Sequence, residues 1–267
     1  MSPSAVRTFR VDALQIQVYP DSNLLAQAAA QQVINRLQRS LEHQATATVI
    51  FATGRSQLGL LSYLRKDTTV DWSRVIGFHL DEFLGLNHNH PASFSYYLHH
   101  QLVQWLPFKS FKYLKGDALE PIAECDRYTD LLRQHPIDVC LLGVGDNGHL
   151  AFNDPTVANF NDSRWVKLVR LDESNRRQQL SSKHFPQLED IPKYAITLSL
   201  SAIFNTRYNL CCIFGNHKAN ILKTLLTISP SETCPASMLR LKSSAENCLF
   251  TDESTCQFDP TQKQTKD

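Results

Sequence analysis

The feature that most constrains this chain is the alternation of short apolar or β-branched runs with amphipathic helical stretches along its length. Leu14–Val18 reads as a strand. Asp21–Leu41 opens on a capping Asp and sets Leu25, Ala29, Val33, Leu37 and Leu41 four residues apart, the face of a helix. Thr46–Phe51 reads as a buried strand, Ser56–Leu64 as a helix, Val75–Leu80 as a strand, and Ser93–Trp105 and Glu124–Arg133 as helices. Ile137–Leu142 is apolar except for Asp138, as a central parallel strand covered on both faces should be. Ala195–Leu200, Tyr208–Phe214 and Cys248–Thr251 continue the strand set, and His217–Leu226 is helical. The pattern predicts a single α/β domain on a mostly parallel sheet over residues 1–251. Residues 252–267 lack an apolar period and read as a polar flexible tail.

Composition serves to exclude. Lys+Arg number 27 and Asp+Glu 26, a net charge of +1, which leaves no broad electrostatic footprint for nucleic acid or an anionic membrane. No apolar run approaches the ~18 residues of a membrane span. The opening MSPSAVRTFRVDALQIQV lacks the apolar core of a secretory leader. Seven cysteines, an odd count without a CxxC pair, sit largely within apolar runs. They read as reduced thiols, hence a cytoplasmic protein.

Parallel sheets bind ligands beyond the carboxyl ends of their strands, so the residues after each strand carry the functional information. After Thr46–Phe51 comes Ala52-Thr53-Gly54-Arg55-Ser56-Gln57, leading into a helix. Such a turn exposes N–H groups suited to a phosphate; it also fits an ordinary turn with Ser56 as helix cap. The nucleotide P-loop pattern is absent. After Val75–Leu80 comes the pair Asp81-Glu82, flanked by His79, His88 and His90. Adjacent carboxylates serve proton transfer, a metal, or simple capping, and the polar Asn-His-Asn-His-Pro stretch reads as surface loop rather than a zinc site. After Ile137–Leu142 comes Gly143-Val144-Gly145-Asp146-Asn147-Gly148-His149. This matches the dinucleotide pattern G-x-G-x-x-G, but Pro155 cuts short the helix that pattern requires. Its glycines fit better with letting backbone approach a ligand while His149, between Asn147 and Asp154, serves as a general acid/base.

HLDEFLGL at 79–86, GVGDNGHLAFNDP at 143–155, the ATGRS turn, IPKYAIT at 191–197 and GNHKA at 215–219 together resemble the glucosamine-6-phosphate deaminase (isomerase) family. The order and spacing agree from about Leu14 to Thr251. The sister 6-phosphogluconolactonases carry an Asp-Glu-Arg acid motif and an Asp-Gly-His-x-Ala-Ser histidine motif. Phe83 after the acid pair, and Phe152-Asn153 after Ala151, favour the deaminase side.

The resemblance implies a three-layer Rossmann-like fold with a mobile lid at about residues 156–184. It implies conversion of an amino-sugar 6-phosphate, foremost glucosamine 6-phosphate, to a ketose 6-phosphate and ammonia, without cofactor or metal. Alternatives on the same pocket are a lactone hydrolase and a non-catalytic sugar-phosphate-binding regulator. The implied partner is a small amino-sugar phosphate; the family includes monomers and hexamers, so a homo-oligomer is among the states it implies. By motif, Asp81 moves the C2 proton, His149 opens the sugar ring, and Asn147 and Asp154 hold that histidine or relay its proton. Thr53, Gly54, Arg55, Ser56 and Lys218 bind the phosphate. The chain departs from the family at Asn147, often Asp; at Asp154, commonly Glu; at Arg55, commonly small; and at Gln57, commonly Pro. The lid arginine has no direct counterpart: Asp172–Gln179 offers Arg176 and Arg177, of which Arg177 is the expected substrate ligand, and Arg55 is the other arginine at hand.

Overall fold

A computed structural model describes residues 3–180, 185–242 and 245–257. The chain starts with an antiparallel hairpin, β1 (Arg7–Val11) and β2 (Leu14–Tyr19). Asp21 then caps α1 (Ser22–His43), its Oδ1 accepting the N–H groups of Asn23 and Leu24 at 2.8 and 2.9 Å. Next follow β3 (Ala47–Phe51), α2 (Arg55–Leu64) and β4 (Val75–His79), and then the short β5 (Asp81–Phe83) and α3 (Phe94–Gln101). β6 (Ser110–Lys112), α4 (Pro121–Gln134) and β7 (Val139–Gly143) complete the first half. The second half holds β8 (Val166–Arg170), α5 (Glu173–Leu180), β9 (Tyr194–Leu198), α6 (Leu200–Phe204), β10 (Tyr208–Cys212), α7 (Ala219–Thr227) and β11 (Glu246–Asp252).

Eight strands form the main sheet in the order β1-β2-β11-β10-β7-β3-β4-β6, parallel from β2 onward. Val139, Cys140, Leu141 and Leu142 of β7 are all buried, because helices cover both faces of a parallel sheet. Strand order runs outward to β4 and β6 on one side of β3, and to β10 and β11 on the other side of β7. The crevice between the carboxyl ends of β3 and β7 is therefore the topological switch point, where such sheets take their ligands.

Two expectations change. Ala195–Leu200 does not extend the parallel set: β9 lies between β5 and β8 in a separate three-stranded antiparallel sheet. Its apolar character on both faces has a different cause. Ile196 and Leu198 face the main core, while Ala195 joins a second apolar cluster with Phe83, Phe152, Val169 and Phe185. Leu80 links the sheets, donating its N–H to Phe51 and accepting the N–H of Leu198 at 2.8 Å. The second change is at the carboxyl end. The described chain is packed through Cys256, with Asp252 accepting from Gly215 N and Thr255 N and the Arg7 guanidinium donating to the Cys256 carbonyl at 2.6 Å. The polar stretch that follows, 258–267, lies outside the described residues.

Candidate active site

The turn after β3 and the turn after β7 meet at the switch point. Gly54 takes φ +97°, a region open to glycine, and caps α2, so the helix begins at Arg55. This removes the capping role for Ser56. Its Oγ instead accepts from Gln57 Nε2 at 3.1 Å, and the same amide donates to the Leu142 carbonyl at 3.2 Å. A Cβ on Gly143 would lie 2.8 Å from Ser56 Oγ; the bare glycine is what lets the turns touch. Lys218, after β10, donates from Nζ to the Val144 carbonyl at 2.9 Å and pairs with Asp146. Thr53, Gly54, Arg55, Ser56 and Lys218 thus gather at one end of the sheet, with Thr53 and Ser56 half-buried and Gly54 and Arg55 exposed. Tyr97 on α3 donates its hydroxyl to the Gly54 carbonyl at 3.0 Å.

The glycine-rich turn presents His149. Its ring lies over Gly145, where a Cβ would come within 2.1 Å of the imidazole. Nδ1 lies 2.8 Å from Asn147 Oδ1 and 3.0 Å from Asp154 Oδ1. Both are acceptors here, because Asn147 Nδ2 donates to Asp154 at 3.0 Å. Nδ1 therefore carries a proton, so in the neutral ring the lone pair lies on Nε2, the form suited to a general base. Asp154 is fully buried. Burial alone raises a carboxyl pKa, but the hydrogen bond and charge of His149, with bonds from Asn147 and Asn175, outweigh it and hold Asp154 below the ordinary range.

The acid pair divides its labour. Glu82 is buried and accepts from Phe83 N, Ser93 Oγ, Phe94 N and Ser95 N at 2.8–3.0 Å, which anchors the start of α3. Asp81, 6% exposed, opens β5, and its pKa stands well above the usual carboxylate range, first through burial and then through the charge of Glu82. Asp81 is paired in register with Thr197, whose Oγ1 accepts the N–H of Phe152 at 3.2 Å. Through β9, Asp81 is thereby tied to the turn that carries His149. His79 stands apart from this chemistry: it is buried, burial lowers its pKa to about 3, and Nε2 accepts the Leu114 N–H at 2.8 Å. Among the described residues no three His, Cys, Asp or Glu side chains gather to hold a metal ion.

Arg177 is not brought to this cluster. It is exposed on α5 and paired with Glu173 one turn earlier. Arg176 donates to the carbonyls of Leu188 and Ile191 and so braces the chain after the helix. Of the segment 156–184, β8 is paired along its length with β9, α5 follows, and 181–184 lie outside the described residues. One site neighbour escaped sequence reasoning: Asn175 of α5, whose Nδ2 lies 3.1 Å from both Asp154 oxygens. Nothing in local spacing marks an asparagine on α5 as reaching a carboxylate 21 residues back.

A parallel α/β domain that sets a hydrogen-bonded imidazole, a buried carboxylate and a turn bearing Arg55 near its switch point has the make-up of an enzyme for a small molecule. The chain belongs to the family described as glucosamine-6-phosphate isomerases/6-phosphogluconolactonase, whose model matches residues 20–249. It is 38% identical over 193 residues to a glucosamine-6-phosphate deaminase of Bacillus thuringiensis (strain Al Hakam), covering 72% of this chain and 71% of that one. Its fold matches that of a monomeric glucosamine-6-phosphate deaminase with a TM-score of 0.81 at 27% identity, over 91% of this chain and 98% of that one. A 6-phosphogluconolactonase from Shewanella baltica matches at TM-score 0.74 and 20% identity, over 89% of this chain and 97% of that one, which shows the shared fold. These named relatives are enzymes, and no described helix is long and apolar enough to cross a membrane.

Proposed function

We propose that this chain converts an amino-sugar 6-phosphate, glucosamine 6-phosphate first among them, to the ketose 6-phosphate with release of ammonia. The observation that carries this reading is the engagement of His149 Nδ1 by Asn147 and Asp154, on a turn tied through Thr197 to the buried Asp81. In this reading Thr53, Gly54, Arg55, Ser56 and Lys218 bind the phosphate. His149 Nε2 takes the anomeric hydroxyl proton and returns it to the ring oxygen as the ring opens to the C1 aldehyde. Asp81 moves the C2 proton to C1 while O1 gains a proton and the amino nitrogen gives one up, leaving a C1 alcohol and a C2 imine. Water adds to C2 and ammonia departs, so that amino sugar plus water balances ketose plus ammonia. Burial makes Asp81 a stronger base than an exposed carboxylate. A cytoplasmic setting belongs to the same reading, supported by seven buried, unbridged cysteines.

The deaminase reading is preferred to lactone hydrolysis because relatives named as deaminases stand at 38% identity, while the Shewanella lactonase stands at 20%. Two assays test it. Ammonia release from a panel of hexosamine 6-phosphates should be positive, with a 6-phosphogluconolactone assay negative. Asp81→Asn should bind substrate nearly as wild type does, lose at least ~10²-fold in turnover and lose solvent deuterium exchange at C2. Exchange and ammonia release at wild-type rates in this variant would sink the mechanism.

A further inference from the structure

We infer that Asn175 on α5 is a positioning residue for the His149–Asp154 pair, its side-chain amide bridging both oxygens of the Asp154 carboxylate. The inference rests on the deaminase reading only for its consequence on turnover. The geometry is specific. Asp154 Oδ1 takes His149 Nδ1 and Asn147 Nδ2 at 3.0 Å each. Asn175 Nδ2 lies 3.1 Å from Oδ1 and 3.1 Å from Oδ2, and so is the donor that touches both.

The rotation of a carboxylate about its last bond is soft and roughly two-fold. Bonds to Oδ1 alone leave the plane of the group weakly defined; a donor shared by both oxygens fixes it. Fixing that plane aims Oδ1 at His149 Nδ1 and keeps the imidazole in the form with Nε2 free. The orientation of the Asn175 amide is set in turn by the carboxylate, since the flipped amide would face one acceptor with another. Asn175 is buried, and its own N–H is tied to Asp172 Oδ1 at 2.7 Å in the first turn of α5.

The charges around Asp154 agree with this role. The titratable group that faces it is His149, from the glycine-rich turn; Asn147 from that turn and Asn175 from α5 are neutral donors. A cation at position 175 would compete with the imidazolium for the carboxylate, whereas an amide orients it without adding charge. Docking of α5 thereby becomes a condition for the acid/base geometry. This is how a helix that brings no arginine to the site still acts on the reaction.

The test is made on the full chain. Ring nitrogen NMR shifts of 15N-histidine-labelled protein, with His149 assigned through His149→Gln, should show one tautomer, Nδ1 protonated, in the wild type. In Asn175→Leu they should show a mixture of both tautomers, with kcat lowered at least tenfold and KM changed less than twofold. Asn175→Ala serves the same purpose where Leu does not fold. A third measurement needs no variant: the side-chain amide protons of Asn175 in the wild type should exchange slowly with solvent. A single unchanged tautomer in the variants, or rapidly exchanging Asn175 amide protons in the wild type, overturns the proposal. The tautomer and exchange readouts need no substrate, so they stand or fall apart from the deaminase assay.

Discussion

Ser56 lies in the first turn of α2 and Gly143 ends β7, yet the serine hydroxyl occupies the space that a side chain on the glycine would need, 2.8 Å from an added Cβ. In the proposed function the two segments form one phosphate site, and they can do so only while that position stays bare. Gly143→Ala should push Ser56 out of place, an overpacking that costs about 1–3 kcal/mol. Its φ is not positive, so the backbone itself tolerates alanine. Calorimetric titration with a 6-phosphorylated hexosamine should give a Kd weaker by roughly tenfold, which is ~1.4 kcal/mol. An unchanged Kd would mean that Ser56 does not contribute to the phosphate site.

Of the three cations assigned to substrate in the sequence, Lys218 and Arg177 part company in the structure. Lys218 is fixed by the Val144 carbonyl and Asp146 beside the glycine-rich turn; Arg177 is exposed and paired along its own helix. Lys218→Ala should weaken sugar-phosphate binding by about 1.5–3 kcal/mol, the worth of a charge-assisted bond. Arg177→Ala should change it by less than ~0.5 kcal/mol, as for an exposed helical pair. The reverse order, measured as Kd for the same ligand, would return Arg177 to the site.

Asp81 should cost stability where it confers reactivity. Its carboxyl pKa in the folded protein is raised by burial and by Glu82, above the ~3.9 of an exposed Asp. The native state therefore favours the proton. Stability is fully present below ~pH 3.9, falls as pH climbs from there toward the raised value, and stays at the lower level beyond it. Asp81→Asn has nothing to ionise. Its Tm at neutral pH should exceed that of wild type by a few degrees, and the difference should shrink as pH drops below about 4. A lower Tm for this variant across the whole range would show that the ionised carboxylate is held by partners rather than kept for the reaction.

Strands with a uniform environment were legible from the sequence, and so were the turns that end them. β3, β4 and β7 lie in the main sheet's core, so their apolar runs report burial directly, and the residues after β3 and β7 fall at the switch point by topology alone. The second sheet was not legible. β9 is apolar on both faces because it separates two clusters, and no local period distinguishes that from a strand between two helix layers. At the site, Asn147, His149 and Asp154 were readable because they share one turn. Asn175 reaches Asp154 from a helix on which the exposed residues among those described, Glu173 and Arg177, are charged, and only the tertiary packing of α5 brings it there.

Glu82 supplies the contrast that tests whether the acid pair is read correctly. It accepts four hydrogen bonds, from Phe83 N, Ser93 Oγ, Phe94 N and Ser95 N, and is 1% exposed. Burial raises its carboxyl pKa, and the bonds from Ser95, Phe94 and Ser93 oppose that rise. Glu82→Ala strands buried donors at the start of α3. With ~1–3 kcal/mol for a buried donor left unpaired, a loss on the order of 3–4 kcal/mol is expected. At roughly 2–4 °C per kcal/mol for a domain approaching this size, thermal unfolding should show a clear fall in Tm, opposite in sign to Asp81→Asn. The damage should reach the phosphate turn as well, because Tyr97 of α3 donates to the Gly54 carbonyl, so KM should rise. Deuterium exchange at C2, followed well below the variant's Tm at saturating substrate, should persist, since the group that moves the proton is untouched. If Glu82→Ala instead abolished exchange while keeping the wild-type Tm, the base would be Glu82, and the roles given to these neighbours would have to be exchanged.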